Sequence, residues 1–335
     1  MHIDLPVIWA AIIGFGVFLY VMLDGFDLGI GLIFPFVNEE GDREVMLNTV
    51  APVWDGNETW LVLGGACLFA AFPIAYGVLL SATYLPIIAM LCGLIFRGVA
   101  FEIRAKARRT QHLWDLAFMA GSGVATFAQG VVLGTLLQGI PVQDGRYAGG
   151  PFDWFSPFNL LTGIGLLLTY ATLGSGWLLI KTEGDLQRRI ARVMTPLTVA
   201  LAVAVAVVSV WTLLGQPQVA SRWLGMPNFL FFLPVPALVL ACVVGILWAL
   251  RRGAEHAPFL LTLGIVFLGY SGLIISIFPN IVPPSLDIWA ASSPRSSQLF
   301  TLVGAAIIIP IILAYTAVAY WVFRGKVRPG DEGYH

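Results

Sequence analysis

The sequence is poor in charge, and this excludes a soluble domain. Only 11% of its 335 residues are charged, whereas soluble domains carry about a quarter. Hydrophobic residues make up 58% of the chain, and the mean hydropathy is +0.86. We therefore expect an integral membrane protein. The net charge of −1 and the lack of a large polar segment also argue against nucleic acid as a partner.

Cysteine and histidine are few and badly placed for binding a metal. Cys67, Cys92 and Cys242 lie far apart inside apolar runs, without a CxxC pair, so we interpret them as packing residues and predict no disulfide. The histidines lie at the termini or at the edges of apolar runs: His2, His112, His256 and His335. The sequence therefore predicts no imidazole at membrane depth, and any redox metal is expected on a partner chain.

Nine apolar runs are long enough to cross a membrane, which takes about 20 residues. Their apolarity is continuous rather than alternating, which favours helices over barrel strands. The first run has no basic segment before it and is longer than a signal-peptide core, so we expect it to be retained. The predicted spans are 7–35, 48–72, 76–103, 113–139, 157–181, 187–214, 229–250, 257–278 and 299–323.

The distribution of lysine and arginine predicts the orientation, because these residues accumulate in cytoplasmic segments. With the amino terminus outside and the carboxyl terminus in the cytoplasm, only Arg146, Arg222 and Arg295 of the 18 basic residues lie outside. The longest outward loops, 140–156, 215–228 and 279–298, are interpreted as surface coverings.

The order of the spans suggests a duplication. Leu28-Gly29-Ile30-Gly31 ends the first span, and Leu173-Gly174-Ser175-Gly176 ends the fifth in the same orientation. We expect an all-α polytopic protein with two four-helix bundles, 1–139 and 140–278, followed by a loop, a ninth span and a tail in 279–335. Two GxxxG motifs, Gly25/Gly29 and Gly130/Gly134, predict close helix contacts.

Acidic residues at membrane depth carry the functional prediction. Asp24 and Asp27 are three residues apart on the first span, Asp55 and Glu58 repeat this spacing on the second, and Glu102 lies near the end of the third. The helical rise places Asp24 about 15 Å and Asp55 about 10 Å from the inner ends of their spans. Buried carboxylates are expensive in a bilayer and often mark an ion path.

We interpret these five acids as a proton-intake route from the cytoplasm, with Asn57 and Thr59 as hydrogen-bonding neighbours and Arg97 and Trp54 as pairing or lining residues. The alternative is structural: Asp24, Asp55 and Arg97 would form a buried ion pair or triad that fixes the helix register.

Three segments carry a resemblance to a known family. They are Asp24-Gly25-Phe26-Asp27-Leu28-Gly29, the stretch 51–60 (APVWDGNETW) and the stretch 96–104 (FRGVAFEIR). Together with 136–141 (LLQGIP), 159–161 (NLL) and 279–298, they resemble subunit II of the cytochrome bd quinol oxidases over essentially the whole chain. The short outward loops resemble those of the compact, cyanide-insensitive branch.

The resemblance implies a two-subunit or larger complex in the bacterial cytoplasmic (inner) membrane that oxidises quinol on the outer side and reduces dioxygen to water. It implies a haem-bearing subunit I that ligates two haems b and one haem d, a quinone held by subunit II as a structural lipid, surrounding lipids, and in some complexes a small single-span accessory subunit. Such a complex is electrogenic without being a pump.

The resemblance also assigns roles to residues. The proton route would pass through Glu102, Asp55, Asp24 and Asp27, and Trp60 matches a residue near the entrance of an oxygen channel. Glu102 replaces the family's usual aspartate and Glu58 its glutamine, so the detailed path is open in this chain.

Two other function classes remain at this stage. A proton-coupled secondary transporter would use the same acids but should show broken helices and polar sites in both halves. A structural quinone- or lipid-binding anchor of another respiratory complex would leave the acids as register pairs.

Overall fold

The computed structural model describes residues 4–104, 106–328 and 330, and its order of elements is that of a polytopic helical protein. The helices are α1 (Leu5–Ile33), α2 (Glu40–Asn48), α3 (Trp54–Ala71), α4 (Pro73–Arg104), α5 (Gln111–Gln138), α6 (Pro157–Lys181), α7 (Gly184–Gly215), α8 (Pro217–Leu224), α9 (Asn228–Phe232), α10 (Pro234–Arg251), α11 (Ala257–Ile277) and α12 (Arg295–Val322). Two short antiparallel hairpins complete it, β1 (Val142–Gln143) with β2 (Arg146–Tyr147), and β3 (Asn280–Val282) with β4 (Leu286–Asp287).

Eight helical segments in the described chain are long and apolar enough to cross a membrane: Leu5–Phe36, Pro73–Arg104, Gln111–Gln138, Pro157–Lys181, Gly184–Gly215, Asn228–Arg251, Ala257–Ile277 and Arg295–Val322. These correspond to eight of the nine predicted spans. The chain is therefore an all-helical polytopic membrane protein.

The predicted span 48–72 differs from the structure at its start. Residues 49–53 form turns, and the helix α3 begins only at Trp54, while 40–48 forms the separate helix α2. Pro52 explains the late start, because proline lacks an amide hydrogen and disfavours helical geometry in the residue before it. With 18 residues, α3 is about 27 Å long.

Two other predicted spans contain irregular backbone. In α4, Thr83 has non-helical angles of φ −125° and ψ 22°. Pro86, three residues later, cannot donate a helical hydrogen bond, which accounts for a local kink. The span predicted at 229–250 consists of α9 and α10, which meet at Leu233. The loops predicted to face outward contain more order than predicted, namely the two hairpins and α8.

Close packing of α1 against α6 lies at the centre of the molecule. A Cβ added to Gly29 would lie 1.9 Å from the Tyr170 carbonyl oxygen, and one added to Gly174 would lie 2.5 Å from the Gly29 carbonyl carbon. Gly130 meets Gly163 in the same way across α5 and α6, at 2.6 Å from its Cα. Both predicted GxxxG motifs therefore lie at close helix contacts. The repeated glycines Gly29 and Gly174 face each other.

The loops gather at two ends of the bundle. At one end, which we call the basic face, Arg189 bonds Glu39 at 2.8 Å and Lys326 bonds Glu255 at 2.8 Å. Hydrogen bonds from Lys326 and Gln187 lower the pKa of the Glu255 carboxyl. At the opposite end, the amide of Ile140 donates to Pro283 at 2.8 Å. At the basic face, the contact between Lys326 and Glu255 ties the segment after α12 to the loop between α10 and α11.

Candidate functional site

A buried arginine with three carboxylates is the most unusual feature inside the bundle. The Arg97 Nη1 atom on α4 donates to Asp24 Oδ1 on α1 at 2.9 Å and to Glu58 Oε1 on α3 at 2.8 Å. Its Nη2 atom lies 3.7 Å from Asp27 Oδ2. The side chains of Arg97, Asp24 and Asp27 are fully buried, and that of Glu58 is 25% exposed. We call these four residues the Arg97 cluster.

The Arg97 cluster has more acid than base. Three carboxylates against one guanidinium would give a net charge of −2 if every group were ionised. Uncompensated charge is expensive away from water, so the cluster is expected to hold a proton. A surplus of acids that opens to the surface through one partly exposed member can exchange protons.

Neighbouring side chains hold the cluster in place. Asn57 on α3 is buried and donates through Nδ2 to Asp27 Oδ2 at 2.7 Å, while its Oδ1 accepts from the Tyr320 hydroxyl of α12 at 3.0 Å. The Trp54 ring stacks on Phe101 with centroids 5.1 Å apart. The Arg97 guanidinium carbon lies 5.9 Å from the Trp54 centroid. It also lies 5.8 Å from the Phe101 centroid, so both rings of the aromatic pair contact the arginine.

The structure separates the other predicted acids from the cluster. Asp55 lies in the first turn of α3 and is exposed on the surface of the chain, as is Glu102 near the end of α4. The predicted depth of about 10 Å for Asp55 is wrong because α3 begins at Trp54. Of the alternative ion pair or triad, the Asp24–Arg97 pair is present at 2.9 Å, but Asp55 is not part of it, since Asp27 and Glu58 are the other acids at Arg97.

Two further predicted residues have local partners. The Thr59 hydroxyl donates to the Asp55 carbonyl one turn earlier at 3.2 Å. Trp60 is fully buried and meets Phe15 edge to face at 6.1 Å. Its indole nitrogen has no partner among the described residues.

Sequence reasoning missed a buried carboxylate outside the Arg97 cluster. Asp115, at the start of α5, accepts from Arg104 Nε at 2.5 Å and from Arg43 Nη1 at 2.9 Å. Arg43 Nε also donates to the Val37 carbonyl at 2.7 Å. This clamp joins α2 and the segment after α1 to the ends of α4 and α5 at the basic face. An acid among the many cations of that side was a signal available in the sequence.

Sequence reasoning also missed a chain of polar groups in the bundle. The Tyr170 hydroxyl donates to Gln129 Oε1 at 3.1 Å, and Gln129 Nε2 donates to the Tyr20 hydroxyl at 2.6 Å. Tyr20 stands one helical turn before Asp24 on α1, and the two side chains interact. No local spacing rule connects these three helices.

The described residues do not fit a metal or haem site in this chain. No three side chains of His, Cys, Asp or Glu are grouped as a metal site needs within residues 4–104 and 106–328. His112 lies at the start of α5, and His256 immediately precedes α11. Both are at the basic face.

Fold and site together define a multi-pass membrane subunit with an internal acid cluster. The family model of cytochrome bd terminal oxidase subunit II matches residues 5–323. The chain belongs to this family. It is therefore a subunit of a terminal quinol oxidase of the inner membrane, a quinol:oxygen oxidoreductase that contains haem and has a subunit I as partner.

Curated relatives cover the same length. The chain is 31% identical over 364 residues to the cytochrome bd-I ubiquinol oxidase subunit 2 of Escherichia coli (strain K12), with 97% of this chain and 95% of the relative covered. It is 29% identical to the cytochrome bd ubiquinol oxidase subunit 2 of Bacillus subtilis (strain 168), with 97% and 96% covered.

A solved structure has the same fold. A chain in the structure of the bd oxidase from Geobacillus thermodenitrificans aligns with a TM-score of 0.75 at 15% identity, covering 96% of this chain and 99% of that one. The transporter alternative is not favoured by these similarities.

Proposed function

We propose that this subunit carries protons from the cytoplasm toward the oxygen-reducing centre in subunit I. The observation that supports the proposal is the Arg97 cluster, in which three carboxylates share one guanidinium and only Glu58 is partly exposed. Such a group of acids accepts a proton from one side and releases it on the other without moving the helices.

Within the complex, two haems b and one haem d ligated by subunit I supply the electron transfer and the oxygen chemistry. Quinol is oxidised on the outer side, and dioxygen is reduced to water with protons taken from the cytoplasm. Charge separation then arises without a pump. A quinone bound as a structural lipid, and a small single-span accessory subunit, belong to this proposal as well.

The exposed acids suggest where the proton route reaches the surface of the chain. On α4, the exposed residues recur every three or four positions and form one stripe: Tyr84, Ile88, Leu91, Cys92, Ile95, Phe96, Val99, Glu102 and Ile103. On α3, Asp55, Val62 and Phe69 are exposed along a similar stripe. We call these two stripes the acid-bearing face. Carboxylates beside apolar side chains are costly in lipid, so subunit I is the proposed cover.

The proposal includes the topology. We take the basic face as cytoplasmic, with the amino terminus outside and the carboxyl terminus inside, and α3 as a ninth span held in the membrane by its contacts with α1 and α12. The segments 1–139 and 140–278 are the proposed four-helix bundles. The meeting of Gly29 with Gly174 supports this division, because equivalent positions of a duplicated unit meet at its axis.

A purely structural anchor remains the competing function. It would use the Arg97 cluster only to fix helix register. It would leave Asp55 and Glu102 without a role, although both are exposed beside apolar side chains of α3 and α4.

Asp55→Asn tests the proposal. We expect the purified complex to keep its haem spectrum while oxygen reduction slows by about tenfold or more, equivalent to at least about 1.4 kcal/mol in the barrier. The matched control is Asp185→Asn, because the Asp185 side chain is 91% exposed at the basic face. Full turnover in Asp55→Asn would remove this residue from the route.

A further inference from the structure

Two chains of side-chain hydrogen bonds run toward the two aspartates of the Arg97 cluster. In each, a tyrosine hydroxyl donates to the oxygen of a side-chain amide, and the amide nitrogen donates onward, to Asp27 in the first chain and to the Tyr20 hydroxyl in the second. An amide aligned in this way presents donor hydrogens, and not its oxygen, to the next group.

The first chain ends at Asp27. The Tyr320 hydroxyl donates to Asn57 Oδ1 at 3.0 Å, and Asn57 Nδ2 donates to Asp27 Oδ2 at 2.7 Å. Asn57 Nδ2 also lies 3.4 Å from the Leu23 carbonyl. Arg97 Nη2 stands 3.7 Å from the same carboxylate oxygen.

The second chain points to Asp24. Tyr170 donates to Gln129 at 3.1 Å, and Gln129 donates to the Tyr20 hydroxyl at 2.6 Å. The hydroxyl hydrogen of Tyr20 is then left to donate, and the side chains of Tyr20 and Asp24 interact, while Asp24 Oδ2 has no hydrogen-bond partner among the described residues. The other oxygen of Asp24 accepts from Arg97 at 2.9 Å.

Glu58 has no chain of this kind. Glu58 Oε1 accepts from Arg97 Nη1 at 2.8 Å, and the same nitrogen also donates to Asp24. A quarter of the Glu58 side chain is exposed. The acids around it are Asp24 and Asp27 from α1 and Asp55 three residues earlier on α3. A proton on Glu58 lessens the repulsion from all three.

We propose that Glu58 holds the exchangeable proton of the Arg97 cluster, while the two tyrosine–amide chains keep Asp24 and Asp27 as carboxylates. Tyr20, Gln129, Tyr170, Asn57 and Tyr320 are then positioning residues. The inference rests on the proposed function, since it names the group through which that route loads. The role of proton holder is then specific to chains that carry a glutamate at this position.

Infrared spectroscopy of the purified complex tests where the proton sits. We expect the difference spectrum of wild type minus Glu58→Gln to contain a carboxylic acid C=O band that shifts in D₂O. In the double variant Tyr320→Phe/Glu58→Gln, a carboxylic acid band is expected to return, because Asp27 has lost the donor chain that favoured its ionised form. The matched control is Tyr270→Phe/Glu58→Gln.

Tyr270 suits the control because its hydroxyl donates to the Gly14 carbonyl at 2.7 Å, away from the acids. No band is expected to return in that variant. A difference spectrum of wild type minus Glu58→Gln without a carboxylic acid band would place the proton on an aspartate and overturn the inference. Return of the band in both double variants would overturn the role of the Tyr320 chain.

Turnover separates this inference from the proposed function. If Asp55→Asn slows oxygen reduction but Glu58→Gln keeps the carboxylic acid band, the route stands and the assignment of its proton fails. If Glu58→Gln removes the band while both variants turn over at the wild-type rate, the assignment stands and proton delivery by this subunit fails.

Discussion

Arg97 is the residue on which the cluster depends for its charge balance. It is fully buried, and it is the cation that contacts Asp24, Asp27 and Glu58. A buried ion pair adds little net stability, but removing one partner leaves uncompensated charge inside the protein. Folding therefore requires the arginine while Asp24 and Asp27 are carboxylates.

Replacing Arg97 by leucine should consequently destabilise the subunit by about 3–5 kcal/mol. We expect little assembled complex and a lower thermal midpoint of haem release. Adding Asp24→Asn should recover part of the loss, because the variant pair buries one carboxylate fewer. Arg188→Leu is the control, since the Arg188 side chain is 70% exposed. Equal thermal stability of Arg97→Leu and wild type would contradict this account.

The spacing of the acids predicted one pair of side chains correctly and the other only in part. Asp24 and Asp27 lie three residues apart and both contact Arg97 in the interior. Asp55 and Glu58 have the same spacing, but only Glu58 contacts Arg97, and Asp55 is exposed. Three residues along a helix turn by about 300°, so two such side chains project about 60° apart. One can line the interior while the other lies outside it. Tyr320 could not be predicted because it reaches the cluster from 263 residues away.

At the scale of elements, the crossing of α1 and α6 fixes the position of the acids. Asp24 and Asp27 flank Gly25, whose added Cβ would lie 2.9 Å from the Tyr170 ring. The glycine motifs predicted this contact because small residues let membrane helices approach closely. The sequence could not identify which helix was the partner, since glycine spacing alone does not distinguish α5 from α6.

Gly29→Ala tests the importance of this crossing. The new methyl group would lie 1.9 Å from the Tyr170 carbonyl oxygen, so α1 and α6 must separate. Overpacking costs about 1–3 kcal/mol, and displacement of Asp24 should also slow oxygen reduction. The matched control on the same helix is Gly16→Ala, where nothing lies within 4 Å. Thermal inactivation of the two purified variants measures the difference, and equal midpoints would show that the helices have room to adjust.

At the scale of the whole molecule, lipid cannot cover every exposed side chain equally well. On α12, the outward residues Phe300, Val303, Ile307 and Ile311 are exposed apolar side chains that suit lipid. The acid-bearing face mixes such side chains with Asp55 and Glu102. A hydropathy profile cannot separate these two surfaces, because both sequences are rich in apolar residues. Only the folded arrangement puts the acids of α3 and α4 on neighbouring stripes.

Cys92 reports directly on what covers the acid-bearing face. It is an exposed cysteine on α4, in line with Phe96 and Val99. If subunit I covers this face, a membrane-permeant maleimide should label Cys92 slowly in the intact complex and rapidly after the subunits are dissociated in detergent. Val244→Cys on α10, placed in a chain without other cysteines, is the control, because Val244 is 56% exposed on a helix of the second half. It should label at similar rates in both states. Rapid labelling of Cys92 in the intact complex would leave Asp55 and Glu102 facing lipid, and would remove the subunit contact proposed for this part of the proton route.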